Sequence, residues 1–131
     1  MYYPHRKRLL LYIISLMSVY SLASLFQASA AQNENSSVSI VTGSSSPFNG
    51  QFYVPNMVTV SPNTSVTWTN HDTSAHTITS GDFTTGPSGL FDSGLVNTGA
   101  TFTHRFSIPG TYAYYCTLFP FMSGLVNVTS P

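Results

Sequence analysis

The sequence predicts an all-β chain folded as a sandwich or barrel, and three observations carry that expectation. Short runs of β-branched and aromatic residues recur between Gly, Pro, Asn and Ser turn clusters, at the roughly 8–12-residue spacing of such folds. Inside the runs, apolar and polar residues alternate, which is the period of a strand with one buried face. Beyond residue 30 no stretch keeps an apolar 3.6-residue period for the ~10 residues a helix needs.

The chain opens with Met1-Tyr-Tyr-Pro-His5-Arg6-Lys7-Arg8, followed by an apolar run from Leu9 to Phe26 and then Ala28-Ser29-Ala30. A basic start, a hydrophobic run and a small-x-small site are the parts of a secretory signal peptide, so residues 1–30 are expected to form a leader helix that is cleaved. The alternative is an uncleaved membrane anchor, because the run approaches the ~20 residues that span a bilayer. Ser15, Ser18, Ser21 and Ser24 dilute it, and Ala28-Ser29-Ala30 favours cleavage. Arg6-Lys7-Arg8 holds no adjacent arginine pair, which points to a general export route. Either way the folded part is expected outside the cytoplasmic membrane, periplasmic, secreted or held at the cell surface.

Residues 31–50, with Ser36-Ser37 and Ser44-Ser45-Ser46-Pro47, read as a flexible lead-in with one short strand, Val38–Val41. Residues 51–131 are then the folded domain. Phe52–Val60 is a strand with a proline-interrupted start, and Ser61-Pro62-Asn63-Thr64 has turn chemistry. Ser65–Asn70 points Val66 and Trp68 inward and threonines outward. His76–Thr79 is a short strand, and Ser80–Gly99 reads as a glycine-rich excursion. Ala100–Ile108 sets Phe102, His104 and Phe106 on one face. Pro109-Gly110 turns into a strand over Thr111–Cys116, and Gly124–Thr129 closes with Val126 and Val128 together. The expected core is Phe52, Trp68, Phe83, Phe91, Phe102, Phe106, Tyr112 and Tyr114.

Beyond residue 30, Arg105 stands alone against Glu34, Asp72, Asp82 and Asp92, with no lysine. Such a surface excludes electrostatic binding of nucleic acid. Asn35-Ser-Ser, Asn63-Thr-Ser and Asn127-Val-Thr are candidate glycosylation acceptors. The single cysteine, Cys116, rules out an internal disulfide, so an exported domain of this size must be held by its core. An unpaired thiol in an oxidising compartment is a liability. Shielding within a metal site accounts for its being tolerated. No nucleophile–base pair and no pair of carboxylates placed for hydrolysis is evident, so the chain is not read as an enzyme; Asp72 and Asp92 read as turn-formers.

Together the segments resemble the cupredoxins, the type 1 blue copper proteins, and within them the plastocyanin- and amicyanin-like members. The residues that carry the resemblance are Phe52-Tyr-Val-Pro55-Asn-Met-Val58-Thr-Val60, Val66-Thr-Trp68-Thr-Asn70, and Asn70-His-Asp72-Thr-Ser-Ala-His76-Thr77. Phe91-Asp-Ser-Gly94, Thr101-Phe102-Thr-His-Arg-Phe106, Pro109-Gly-Thr-Tyr112-Ala-Tyr-Tyr-Cys116 and the loop Cys116-Thr-Leu-Phe119-Pro120-Phe-Met122 continue it. The resemblance spans residues 50–129 and implies a Greek-key β-sandwich that holds one copper ion and passes single electrons to a redox protein partner. Carried over by position, His76 is the first imidazole ligand, Cys116 the thiolate and Met122 the weak axial thioether. Two imidazoles and a thiolate in a plane, with a long axial methionine, suit Cu(I) and Cu(II) nearly equally. The resemblance also implies backbone N–H donors to the cysteine sulfur, by position those of Thr77 and Leu118, which tune the potential.

The chain departs from that pattern at one ligand. The family's second histidine, three residues after the cysteine and just before the proline, is Phe119 here. One nitrogen and two sulfurs remain, a soft set that favours Cu(I). Leu118, Phe119, Pro120 and Phe121 then extend an apolar patch where the partner would dock. Of the other histidines, His71 is expected to face solvent and His104 to be a core histidine bonded to a backbone carbonyl. Three functions follow, in order of preference. They are an exported one-electron carrier, a Cu(I) carrier or buffer built on His76, Cys116 and Met122, and a sandwich kept for binding or structure without metal.

Overall fold

Nine strands build the described part of the molecule, which in the computed structural model is residues 35–131. The expected leader lies outside those residues. The strands are β1 (Asn35–Ile40), β2 (Tyr53–Val54), β3 (Met57–Val60), β4 (Thr64–Asn70), β5 (Thr79–Asp82), β6 (Gly86–Asp92), β7 (Thr101–Phe106), β8 (Gly110–Tyr115) and β9 (Ser123–Val128). They form two mixed sheets, ordered β2-β1-β4-β7 and β3-β9-β8-β5-β6. The all-β sandwich is as expected, and among the described residues no helix occurs.

Alternation decides which face each strand buries. In β4, Thr64, Val66, Trp68 and Asn70 are buried while the residues between them are half-exposed, because successive side chains leave a strand on opposite faces. Val58 and Val60 from β3, and Val126 and Val128 from β9, point into the same interior. Trp68, wholly buried, lies against Phe91, Phe102, Phe106 and Tyr114. Emptying a core aromatic site of this kind costs about 3–5 kcal/mol.

Several elements differ from the sequence reading. Residues 35–50 are not a loose lead-in, since β1 pairs in parallel with β4 from Asn35↔Ser65 to Ile40↔Asn70 and buries Val38 and Ile40. The following loop donates the Gly43 and Ser45 N–H groups to the Asp72 carboxylate. Phe52–Val60 is two strands in different sheets; Pro55, with no N–H for a ladder, lies where the chain crosses between them.

The glycine-rich excursion contains the hairpin β5–β6. Its alternation is hidden by a register shift between Thr79 and Gly81. Gly81 sits at φ +122 with the Gly86 carbonyl so close that no Cβ would fit. Phe83, expected in the core, is 73% exposed at the tip of this hairpin. His76 forms only an isolated bridge with Val96 rather than starting a strand. His104 packs among Phe91, Phe102 and Phe106 and, among the described residues, makes no hydrogen bond to a carbonyl.

Candidate metal centre

The site forms at one end of the sandwich, where the chain leaves β4 and where β8 hands over to β9. Asn70, the buried last residue of β4, shapes the first loop from both ends of its amide. Its Nδ2 donates to the carbonyls of Ser74 at 2.8 Å and Val96 at 2.9 Å, and its Oδ1 accepts the Asp72 N–H at 2.9 Å. His76 follows, held by paired backbone hydrogen bonds with Val96. The imidazole is wholly buried. Its Nε2 lies 2.7 Å from Asp72 Oδ2, and its Nδ1 faces Cys116 Sγ at 3.7 Å.

Asp72 is itself buried and accepts the backbone N–H groups of Gly43 and Ser45. Burial pushes its carboxyl up, but hydrogen bonds from His76 and from backbone N–H groups, with the attraction of His76, outweigh that and hold it below the usual carboxylate range.

Cys116 comes straight after β8 and is fully buried. Its sulfur accepts the Thr77 N–H at 3.3 Å, one of the two donors expected there; among the described residues none comes from Leu118. Two threonines staple the ligand loops together, because Thr117 N–H donates to Thr77 Oγ1 at 2.9 Å and their hydroxyls meet at 3.2 Å. The Thr77 carbonyl takes the Tyr53 hydroxyl at 2.6 Å. Burial, then the nearby Cys116 and Tyr114, raises the Tyr53 phenol well above its ordinary value, so it stays a neutral donor. The second loop closes on itself through Cys116 N–H to the Met122 carbonyl at 3.1 Å and Met122 N–H to the Phe119 carbonyl at 2.9 Å. That closure carries Met122, also fully buried, back into the core cluster that includes Cys116.

These donors suit a soft metal ion. A nitrogen and a sulfur 3.7 Å apart are close enough that both would bind one ion placed between them. Among the described residues no three His, Cys, Asp or Glu side chains converge on one point, and Met122, which brings a second sulfur to the buried cluster that includes Cys116, is the thioether at this end. Phe119 packs its ring 5.1 Å from the His76 ring, which puts apolar bulk beside the imidazole. Leu118 and Phe121 are exposed at this end, and Phe121 with Pro120 and Phe83 lines a shallow apolar recess. His71 is exposed, as expected, while His104 lies in a different packing group from His76.

Two contributors were not picked out as such from the sequence. Asp72 reads as a turn-former, yet it is buried against His76; the signal available was its position four residues before a histidine in one loop. Tyr53 left no such signal, because its contact with Thr77 spans 24 residues and two layers of the fold. Asp92 does form a turn, accepting the Gly94 N–H at 3.1 Å.

Residues 43–129 match the family model for copper binding proteins of the plastocyanin/azurin family. A purple cupredoxin from Nitrosopumilus maritimus is 37% identical, with 72% of this chain and 99% of that one covered and a TM-score of 0.68. Amicyanin-alpha of Methylorubrum extorquens is 36% identical over 73 residues, 54% of this chain and 59% of that protein. A mutant amicyanin in its Cu(I) form shares the fold at a TM-score of 0.58 and 24% identity, with coverage of 78% and 89%.

Proposed function

Because this chain belongs to the plastocyanin/azurin family of copper-binding proteins, we propose that it is an exported carrier of single electrons, with His76, Cys116 and Met122 as its donors to one copper ion. The observation that supports this most directly is the buried 3.7 Å approach of His76 Nδ1 to Cys116 Sγ. Copper bound there would supply a centre that gains and loses one electron.

The protein's own groups prepare that exchange. Asp72 Oδ2 stands 2.7 Å from Nε2 of His76, and Nδ1 is the ring nitrogen turned toward Cys116. The Thr77 N–H steadies the negative charge of the Cys116 thiolate and so bears on the potential. The threonine staple and the Tyr53 hydroxyl hold both loops so that little has to move when the charge changes. Complete burial of His76, Cys116 and Met122 keeps water away from all three. Electrons would reach a redox protein partner across the apolar end formed by Leu118, Phe119, Pro120 and Phe121, and the leader at residues 1–30 would route the domain out of the cytoplasm.

A second reading is a Cu(I) carrier or buffer. What favours it is Phe119, which leaves one nitrogen and two sulfurs as donors, a set that prefers Cu(I). One experiment separates the readings: an anaerobic copper titration of the folded domain, with the visible spectrum recorded after reoxidation. An electron carrier develops an intense thiolate-to-copper band. A Cu(I) buffer binds one Cu(I), loses it in Cys116→Ser and stays colourless. Equal Cu(I) affinity in wild type and Cys116→Ser rejects the buffer, and a melting temperature indifferent to copper leaves a sandwich retained without metal.

A further inference from the structure

We infer that Asp72 is a positioning residue, one that sets which nitrogen of His76 is free and ties the Gly43–Ser45 loop to the metal end. The inference rests on the reading of His76 as a donor to copper. Its basis is a complete set of partners around one buried carboxylate. Oδ1 accepts the Gly43 N–H at 2.9 Å, and Oδ2 accepts the Ser45 N–H at 3.3 Å while lying 2.7 Å from His76 Nε2. The backbone N–H of Asp72 donates to Asn70 Oδ1 at 2.9 Å, which fixes the backbone that carries the carboxylate. Both carboxylate oxygens already accept backbone N–H groups and so face outward with lone pairs, and at 2.7 Å the ring nitrogen opposite is the one placed to donate. With Nε2 protonated, the neutral ring presents a bare Nδ1, and Nδ1 is the atom aimed at Cys116 Sγ.

The Gly43–Ser45 loop enters because it holds the carboxylate's orientation from the far side. Gly43, at φ +87, has Asn49 where a Cβ would stand, so the loop is shaped around a glycine there. β1 supplies the loop's position through its parallel pairing with β4. Residues at the start of the fold thus fix the ring that stands at its metal end.

Asp72→Asn is the discriminating change. An amide has one acceptor oxygen, and each carboxylate oxygen already faces at least one N–H. In either orientation the substituted NH₂ group is set against a donor. One orientation opposes Gly43; the other opposes Ser45 and Nε2–H and turns the ring to its Nδ1–H form, which has no lone pair toward the sulfur.

The experiment uses the described domain joined to whatever precedes it in the natural chain, ¹⁵N-labelled, metal-free and at mildly alkaline pH. Long-range ¹H–¹⁵N correlations then report the His76 tautomer, and competition with a colorimetric Cu(I) chelator reports affinity. The wild-type ring is expected as pure Nε2–H. Asp72→Asn is expected to lose that purity and to bind Cu(I) about 10–100-fold more weakly, whereas a merely structural role would lower the melting temperature and leave the affinity of the folded protein alone. A wild-type ring in the Nδ1–H form overturns the inference, and that measurement needs no variant to fold. A folded Asp72→Asn with Cu(I) affinity within about twofold of wild type overturns it as well. His76→Ala keeps the two failures apart: undiminished Cu(I) binding there removes His76 as a donor, while the tautomer measurement still decides the role of Asp72.

Discussion

Phe119→His tests whether this loop, on the proposed reading of His76 and Cys116, can complete a two-imidazole site. In the structure the Phe119 ring is half-buried and stands 5.1 Å from the His76 ring. Its carbonyl is pinned by the Met122 N–H at 2.9 Å, and the loop is closed again by Cys116 N–H to the Met122 carbonyl at 3.1 Å. A histidine at 119 would therefore swing from a fixed backbone into space that the phenyl ring now fills. Giving up roughly half of the 1.5–3 kcal/mol that a buried aromatic contributes costs about 1 kcal/mol. The metal-free variant should accordingly melt about 4–8 °C below wild type.

Copper should reverse that order. If the added nitrogen strengthens Cu(II) binding about tenfold, then at a copper concentration of about 100 Kd for the variant the two proteins gain about 2.7 and 1.4 kcal/mol. The copper-induced rise in melting temperature should then be about 5–10 °C larger in the variant. The assay is a melting curve with and without Cu(II), beside the visible spectrum of the same samples. A variant whose copper-induced rise and thiolate-to-copper band both match wild type would show that residue 119 does not stand beside the His76–Cys116 pair, and would refute the reasoning.

Tyr53→Phe removes the hydroxyl on the Thr77 carbonyl; leaving that buried acceptor bare should cost about 1–3 kcal/mol in denaturant unfolding. Because the same residue's N–H meets Cys116 Sγ, the copper–sulfur band should shift too, and an unchanged band with unchanged stability would count against the linkage. Gly124→Ala would drive a Cβ into the ring and hydroxyl of Tyr114, which Tyr53 and Trp68 hold from two other sides. Overpacking of this kind costs about 1–3 kcal/mol, read as a lower midpoint of denaturation. Burial holds the His104 imidazole below its ordinary pKa, so at mildly acidic pH the unfolded chain binds a proton that the folded one refuses. Its contribution is present above the unfolded value of about 6.5 and is lost as pH falls from there toward the lower folded value. His104→Phe should flatten the melting-temperature profile between about pH 7.5 and 5.5, and a slope equal to wild type would argue that the ring is not partly shielded by its three phenylalanines.

The strands that were legible are those whose burial alternates cleanly. β4, β7 and β9 each repeat an apolar or aromatic residue at every second position, and one buried face follows directly from that repeat. β5 and β6 were hidden because glycines and a register shift interrupt the pleat, and because most of β6 is exposed. β1 was underestimated for a related reason. Its serines look like linker composition, yet alternate positions supply Val38 and Ile40 to the core while the backbone pairs along all six residues with β4.

The candidate site divides along the same physical line. Residues whose spacing is local could be named in advance, since a cysteine and a methionine six residues apart must share a loop. His76 could be named only through the family pattern, and the structure then sets it 3.7 Å from the sulfur. The groups that orient those donors are contacts between segments far apart in sequence, such as Gly43 and Ser45 with Asp72 across 29 and 27 residues, and Thr77 with Thr117 across 40. Nothing in a one-dimensional pattern fixes such meetings. The parallel pairing of β1 with β4 and the pairing of β5 with β8 do, by carrying each loop to the same end of the sandwich. If the ligand residues set which metal is preferred, the topology sets how firmly the imidazole and thiolate are aimed. Substitutions at Asp72, Tyr53 and Thr77 should therefore alter copper chemistry through distant backbone contacts while leaving the donor atoms unchanged.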